Sequence, residues 1–229
     1  MKYKNIRPAK FISRPNRFIA NIEIDGRADI CHVKNTGRLK ELLVPEARVF
    51  VQESFNKNRR TKYDLISVYK GNRLINIDSQ MPNKVLYEWI SDNNLFGDIV
   101  LIKPEYTYKD SRFDFYIETV TGKILIEVKG VTLEENGIAM FPDAPTERGV
   151  KHIAGLRRCI KDGYDAYIIF IIQMKDVLYF TPNVKTHKAF ADELVIAKNQ
   201  GVKTLALDCV VEKNLIHINS FVDVKLQQN

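Results

Sequence analysis

The residue types best placed for joint chemistry are Asp114, Glu127 and Lys129. They lie in Ser111-Arg-Phe-Asp-Phe-Tyr-Ile117 and Ile124-Leu-Ile-Glu-Val-Lys129, two short apolar runs joined by Thr119-Val-Thr-Gly-Lys123. The Thr-Gly step predicts a hairpin turn. Alternation along a strand sends Phe113, Phe115 and Ile117 to one face and Asp114 and Tyr116 to the other. On the second run Ile124, Ile126 and Val128 share one face, and Glu127 and Lys129 the opposite one. Registers that match the two apolar faces also bring Asp114 alongside Glu127 and Lys129, because a one-residue slip would send every side chain to the wrong side. Two converging carboxylates suit a hard cation such as Mg²⁺ or Mn²⁺ bound through oxygen. Such a cation polarises a phosphoryl oxygen and acidifies a bound water. A neighbouring lysine orients that water and offsets charge at phosphorus. The same spacing also fits the solvated polar face of a half-exposed hairpin, since short polar motifs recur by chance.

The elements that must position these residues are set by the whole chain. Its 229 residues allow one large domain or two small ones, and 45% hydrophobic content is enough for real cores. A formal net charge of +7 and a pI near 9.2 suit a polyanionic partner such as nucleic acid. The excess charge is spread through folded-looking sequence, with clusters at 2–17 and 57–62. Cys31, Cys159 and Cys209 have no C-x-x-C spacing, and fit neither a disulfide framework nor a zinc site. The N-terminus has charge but no apolar segment after it, so no signal peptide is expected. The longest apolar run, Ala166–Ile172, is too short to span a membrane. Cytoplasmic location and no membrane partner are the expectations.

The first part reads as short strands. Phe18–Ile24 and Arg27–Val33 flank the turn Asp25-Gly26, and Arg48–Gln52, Tyr63–Tyr69 and Arg73–Ile77 bring the count to about five. Gly37–Leu43 is expected to be a short helix among them. Five strands and one helix point to a closed oligonucleotide/oligosaccharide-binding (OB) barrel over residues 1–80. Residues 81–229 alternate differently. Pro82–Ile90 has Val85, Leu86, Trp89 and Ile90 at helical spacing, with Glu88 on the flank. Pro145–Lys161 predicts a second helix, N-capped by Thr146, with Val150, Ile153, Leu156 and Ile160 buried. Tyr167–Gln173 reads as a central strand covered on both faces, Val177–Phe180 as another strand, Lys188–Asn199 as a helix and Lys203–Val210 as the last strand. Leu215–Asn229 reads as partly frayed. The alternation implies an α/β domain.

The chain resembles the sugar fermentation stimulation protein family (SfsA). The resemblance rests on Arg17-Phe18, Asn35-Thr-Gly-Arg-Leu-Lys-Glu-Leu-Leu43, Ser111-Arg-Phe-Asp-Phe115, Glu127-Val-Lys129-Gly-Val-Thr132 and Phe141-Pro-Asp-Ala-Pro-Thr-Glu-Arg-Gly-Val-Lys-His152. It implies an N-terminal OB-type barrel followed by an α/β domain with a mixed central sheet, similar to PD-(D/E)XK nucleases. By position, Asp114 is then the Asp of that motif and Glu127-Val-Lys129 its E-x-K. Asp114 and Glu127 would hold the metal, Lys129 would act in catalysis, and Glu88 looks like the acidic residue supplied by the preceding helix. Metal-dependent hydrolysis of DNA or RNA is the implied function. The alternative is a non-catalytic, largely sequence-nonspecific DNA-binding regulator of sugar (maltose-type) metabolism genes. Two positions depart from the family pattern. Lys34 replaces the usual Pro before Asn-Thr-Gly-Arg, an added charge compatible with phosphate. Lys109 stands where a Gly precedes Asp-Ser-Arg.

Several other residues are candidates for nucleic-acid contact. Arg14, Arg17, Asn35, Thr36, Arg38 and Lys62 are expected on the barrel, with Arg59 and Arg60 adding charge. Arg112 flanks the Asp. Glu147, Arg148 and Lys151 open the second helix, where a helix N-terminus with basic residues can cradle phosphate, although an ordinary charged helix face has the same composition. His152 fits either an acid for the leaving oxygen or a packed histidine. Glu105 is a rival to Glu88. His32, His187 and His217 show no ligand spacing. Tyr63 and Tyr69 fit strand packing better than base stacking. Binding would be mostly electrostatic. A sugar-binding role would need an aromatic platform, and Trp89, the single Trp, sits on an apolar helix stripe. A homodimer is compatible with all of this.

Overall fold

The computed structural model describes residues 1–56 and 58–226; Lys57 of the basic cluster and the last three residues lie outside the described residues. The chain opens with β1 (Ile6–Asn16), β2 (Ile19–Ile24), β3 (Arg27–Val33), β4 (Arg48–Glu53), β5 (Tyr63–Lys70) and β6 (Arg73–Asn76). The spatial order is β3-β2-β1-β4-β5-β6, and parallel pairing of β3 with β5 closes five of these strands into a barrel. The hairpin of β2 and β3 turns at Asp25 and Gly26, which both have positive φ, the backbone that a two-residue turn between twisted strands needs. Alternation sends Ala20, Ile22 and Ile24 inward from β2, and Val49 and Val51 from β4. Burying each large aliphatic side chain stabilises by roughly 1.5–3 kcal/mol.

Two expectations for this part need correction. β1, within the basic 2–17 stretch, is a full barrel strand. Conversely, Gly37–Leu43 is a single turn, with Leu42 and Leu43 N–H donating to Leu39 O. Leu39 has φ +50°, a left-handed backbone that no α-helix continues through. Leu39 and Leu42 still plug the barrel.

The rest of the chain runs α1 (Met81–Asp92), β7 (Ile99–Tyr108), β8 (Ser111–Thr119), β9 (Lys123–Val131), β10 (Leu133–Glu135), β11 (Ile138–Phe141), α2 (Glu147–Lys161), β12 (Asp165–Ile172), β13 (Tyr179–Pro182), α3 (Lys188–Asn199), β14 (Lys203–Glu212) and β15 (Leu215–Val222). The main sheet has the order β15-β14-β12-β9-β8-β7. β9, β12 and β14 are parallel and the outer strands antiparallel, so the sheet is mixed. β10, β11 and β13 form a small separate sheet, so the strand expected near Val177–Phe180 lies outside the central one. Leu215–Val222 is a paired strand, not frayed.

β12 is buried along nearly its whole length because helices cover both faces. Ile169 and Ile171 meet Val85, Leu86 and Ile90 of α1 in one cluster. Ile168 and Phe170 meet Ile153 and Leu156 of α2 in the other, which continues into the barrel interior. Thr146 caps α2 as its sequence predicts, its Oγ1 accepting from Gly149 N–H at 3.0 Å. No helix among the described residues is long and apolar enough to cross a membrane.

Candidate functional site

The site forms where β8 and β9 part. Their ladder runs from Glu118↔Lys123 to Phe115↔Ile126 and stops. The next position along that register puts Asp114 opposite Glu127. Beyond the ladder, Val128 N–H has no strand partner on β8 and donates to Asp114 Oδ2 at 2.7 Å, which satisfies a buried donor with a side chain. The β7–β8 ladder skips the same place. Pro104 pairs with Phe115 and Tyr106 with Phe113, while Glu105 between them has φ +56°.

This irregularity corrects the expected faces. Phe115 lies 6.2 Å from Tyr87 of α1, whereas Phe113 lies edge-on to His152 of α2 at 6.3 Å between ring centres. Strict alternation would put both phenylalanines on one face. The strand turns over at Asp114, so the carboxylate sits at a twist between the two helix-covered faces.

α1 reaches Asp114 through Asn83, whose Nδ2 donates to Oδ1 at 2.7 Å. Gly130 lets that helix come close: a Cβ there would fall 2.8 Å from Pro82 Cγ and 2.8 Å from Gln173 Oε1. Glu88 is not brought to the site. It pairs with the Met1 amino group at 2.7 Å, with its side chain half exposed. Five residues turn an α-helix by about 140° beyond a full circle, so Glu88 and Asn83 cannot share a face. Glu105 also turns away, its exposed carboxylate paired with Arg112.

Glu127 projects toward α2 and is 2% exposed. Its Oε1 accepts from Lys129 Nζ and lies 2.6 Å from His152 Nδ1. Its Oε2 is buried and takes no hydrogen bond from any described residue. The two carboxylates are therefore tuned in opposite directions. Burial, then the charge of Glu127, push Asp114 above its ordinary value, and the Val128 and Asn83 donors and the charge of Lys129 only partly offset this. Burial also pushes Glu127 up, but the His152 and Lys129 contacts outweigh it and hold Glu127 below its ordinary value. An orphaned buried carboxylate oxygen beside a second carboxylate fits a hard divalent cation. Among the described residues there is no group of three or more His, Cys, Asp or Glu side chains with metal-site geometry; the carboxylates that meet here are Asp114 and Glu127.

The basic candidates divide. Arg14 is spent on the barrel loop, donating to the carbonyls of Arg17, Asn35, Gly37 and Arg38 at 2.7–3.0 Å. It shapes the loop instead of offering a free charge. Asn35 Oδ1 accepts from Gly37 N–H at 2.8 Å, and Arg38 N–H donates to Asp143 Oδ2 at 3.0 Å. The Asn35–Arg38 loop thus docks on the segment leading into α2. Gly37 permits the contact, since a Cβ there would lie 2.5 Å from Asp143 Oδ2. Arg17, Thr36 and Arg38 remain exposed beside it. Arg148 and Lys151 are exposed at the start of α2, with Lys151 3.4 Å from Asp110. Glu147 Oε1 accepts from His187 Nε2 at 3.1 Å; His187, read as incidental, in fact ties the start of α3 to the start of α2, and its Nδ1 accepts from Thr146 N–H. Arg112 is paired with Glu105, and Lys62 with Glu53 at 2.8 Å, apart from the docked loop.

Lys34 needs correction as well. Its ammonium turns inward, 3.1 Å from the fully buried Asp78 and 3.5 Å from Asp64. Arg59 also pairs with Asp64, so neither charge is available to a phosphate. Tyr63 is buried in a strand, and Tyr69 lies under Arg48, 4.3 Å from its guanidinium carbon. Sequence reading missed Asn83 and Asp143. An Asn in the first turn of the helix before the hairpin was the available signal for Asn83. Asp143 sits in the most distinctive sequence block and had no local signal of its own.

Comparison with known proteins places this geometry. Residues 12–77 match the family model described as SfsA N-terminal OB domain, and residues 80–215 the one described as Sugar fermentation stimulation protein RE domain. A sugar fermentation stimulation protein homolog of Clostridium beijerinckii is 62% identical, covering 99% of this chain and 100% of that one. One of Desulfitobacterium hafniense is 61% identical over 99% of each. Among solved structures, Pyrococcus furiosus SfsA in complex with Ca²⁺ superposes with a TM-score of 0.89 at 30% identity, covering 98% of both chains. With both parts matched and the whole length aligned, the chain belongs to the sugar fermentation stimulation protein family.

Proposed function

We propose that this protein binds nucleic acid and hydrolyses its phosphodiester backbone at Asp114, Glu127 and Lys129 with a divalent cation. The observation that carries the reading is the pairing of two converging carboxylates with an adjacent ammonium, one carboxylate oxygen being buried without a partner. The Ca²⁺ complex of the archaeal relative supports a divalent cation in this fold. The fit is to Mg²⁺ or Mn²⁺, which take carboxylate oxygens and keep sites for water and phosphate.

Asp114 and Glu127 would hold the cation, which supplies Lewis-acid polarisation of the phosphoryl oxygen. Asn83 and Val128 N–H fix the Asp114 carboxylate in place. Lys129, largely withdrawn from solvent beside Glu127, orients the attacking water and offsets charge building on phosphorus. Arg17 beside the docked loop, Thr36 and Arg38 on it, and Arg148 and Lys151 on α2 meet backbone phosphates on either side. This binding is electrostatic and does not read sequence.

The test is cleavage of end-labelled single- and double-stranded DNA and RNA with Mg²⁺, Mn²⁺ or EDTA, using wild type and Lys129→Ala. Cleavage that needs the cation and is lost in the variant is the expected result. Binding without cleavage under every condition would overturn hydrolysis and leave the regulator reading.

A further inference from the structure

The two oxygens of Glu127 are treated differently. Oε1 carries every hydrogen bond and Oε2 carries none among the described residues. Lys129 reaches Oε1 from a flexible stem and keeps two further N–H donors for the attacking water. The other donor is built to remain. His152 is buried on the inner face of α2, edge-on to Phe113, with Nδ1 2.6 Å from Oε1. Its Nε2 accepts from Arg148 Nε at 3.3 Å, one helical turn earlier. A guanidinium has no lone pair to offer, so Nε2 is the acceptor and the ring proton sits on Nδ1, facing the carboxylate. α2 gets near enough because Gly155 has no side chain; a Cβ there would lie 3.0 Å from both Phe113 Cζ and Ser111 Oγ.

We propose that His152 is a positioning residue that pins Oε1 of Glu127 through Nδ1–H and so presents Oε2 to the cation, with Arg148 setting the ring tautomer from the surface. This rests on the cation-site reading above. Arg148 is exposed, and its Nη groups bond no described residue. The guanidinium that fixes the ring therefore also faces the solvent from which a phosphate approaches, which links nucleic-acid contact to the cation ligand through one imidazole. Donors of this kind, one bond removed from a ligand, orient ligands in many metal sites.

The experiment is Mn²⁺ binding by calorimetry to wild type, His152→Ala, His152→Asn and Glu127→Gln, with folding checked by circular dichroism. An Asn amide nitrogen sits near the place of Nδ1 and keeps the donor. His152→Ala is expected to weaken Mn²⁺ binding by about 10- to 100-fold, and His152→Asn to stay within about threefold of wild type. Binding lost in Glu127→Gln but unchanged in His152→Ala would overturn this role alone. Equal loss in folded Ala and Asn variants would also overturn it, showing packing instead of donation. Wild type that binds no Mn²⁺ would remove the cation reading and the role together. Imidazole ¹⁵N spectra of the wild type test the same point without a variant. A protonated Nδ1 and an accepting Nε2 are expected, and a proton on Nε2 would overturn the proposal.

Discussion

Removing the charge from Asp114 and from Glu127 should shift stability in opposite directions, although the chemical change is the same. In Glu127→Gln the carboxylate charge that Lys129 and His152 bond is removed, which ends the ion pair with Lys129 and weakens both bonds. Each such change costs about 1 kcal/mol, giving a loss of about 2 kcal/mol, or about 4–8 °C in Tm for a chain of this size. Asp114→Asn also weakens two bonds, from Val128 and Asn83, and Asn83 can turn its amide over to present oxygen to the new group. Here burial and repulsion by Glu127 already exceed what those donors return, as the raised value of Asp114 requires. Removing the charge therefore stabilises, by about 1 kcal/mol or less, or up to about 2–4 °C. The signs follow by linkage. Glu127 is held below its ordinary value, so its contribution is present above that value and fades as pH falls through its folded one. Asp114 is held above its ordinary value, so its penalty is full above the folded value and gone below the ordinary one. Thermal melts at pH 7 in EDTA, repeated in acid, measure both. Two variants destabilised alike, or differences that persist unchanged into acid, would refute the opposed environments.

Other consequences follow from contacts away from the two carboxylates. Gly37→Ala should cost about 1–3 kcal/mol and weaken nucleic-acid binding, because its new Cβ meets Asp143; adding Asp143→Gly should recover part of the stability loss in a double-mutant cycle. Lys34→Met should cost about 3–5 kcal/mol by urea denaturation, since it strands the fully buried Asp78, whereas Arg60→Ala should stay within about 0.5 kcal/mol. Burial raises Glu134, but Lys70, Gly137 N–H and Arg73 outweigh it and hold it below its ordinary value. The stability it adds is present above the ordinary carboxylate range and lost as pH falls through its folded value. Glu134→Gln should therefore be weaker than wild type at pH 7, with the gap narrowing in acid melts. Affinity for nucleic acid should fall steeply with salt in fluorescence titrations, and a flat response would contradict phosphate contacts.

Local pattern carried much of this molecule. Matching the apolar runs of β8 and β9 set the register that puts Asp114 opposite Glu127, the Thr146 cap opened α2 where the sequence indicated, and Asp25-Gly26 closed its hairpin. What stayed hidden depends on distant partners. The turn-over at Asp114 arises because β7 and β9 both leave that position unpaired, and neither strand is visible from β8 alone. Glu88 looked suitable by charge, yet the pitch of α1 and the close approach at Gly130 bring Asn83 to the site instead. Lys34 reads as a surface charge until the fold shows Asp64 and Asp78 waiting inside. Leu39 has the composition of a helix, but the barrel core draws it into a left-handed turn. β7 lacked a strand signal because it is an edge with Lys103-Pro104 in its middle, the composition that keeps edges from pairing further.

The proposed hydrolysis depends on Asp114 and Glu127 jointly holding a divalent cation. Anomalous diffraction at the manganese edge from crystals grown with Mn²⁺ tests it most directly. One strong peak is expected within about 2.0–2.6 Å of oxygens from both carboxylates, with Glu127 contributing Oε2. Full-occupancy manganese bound elsewhere, with none between these two side chains, would contradict it.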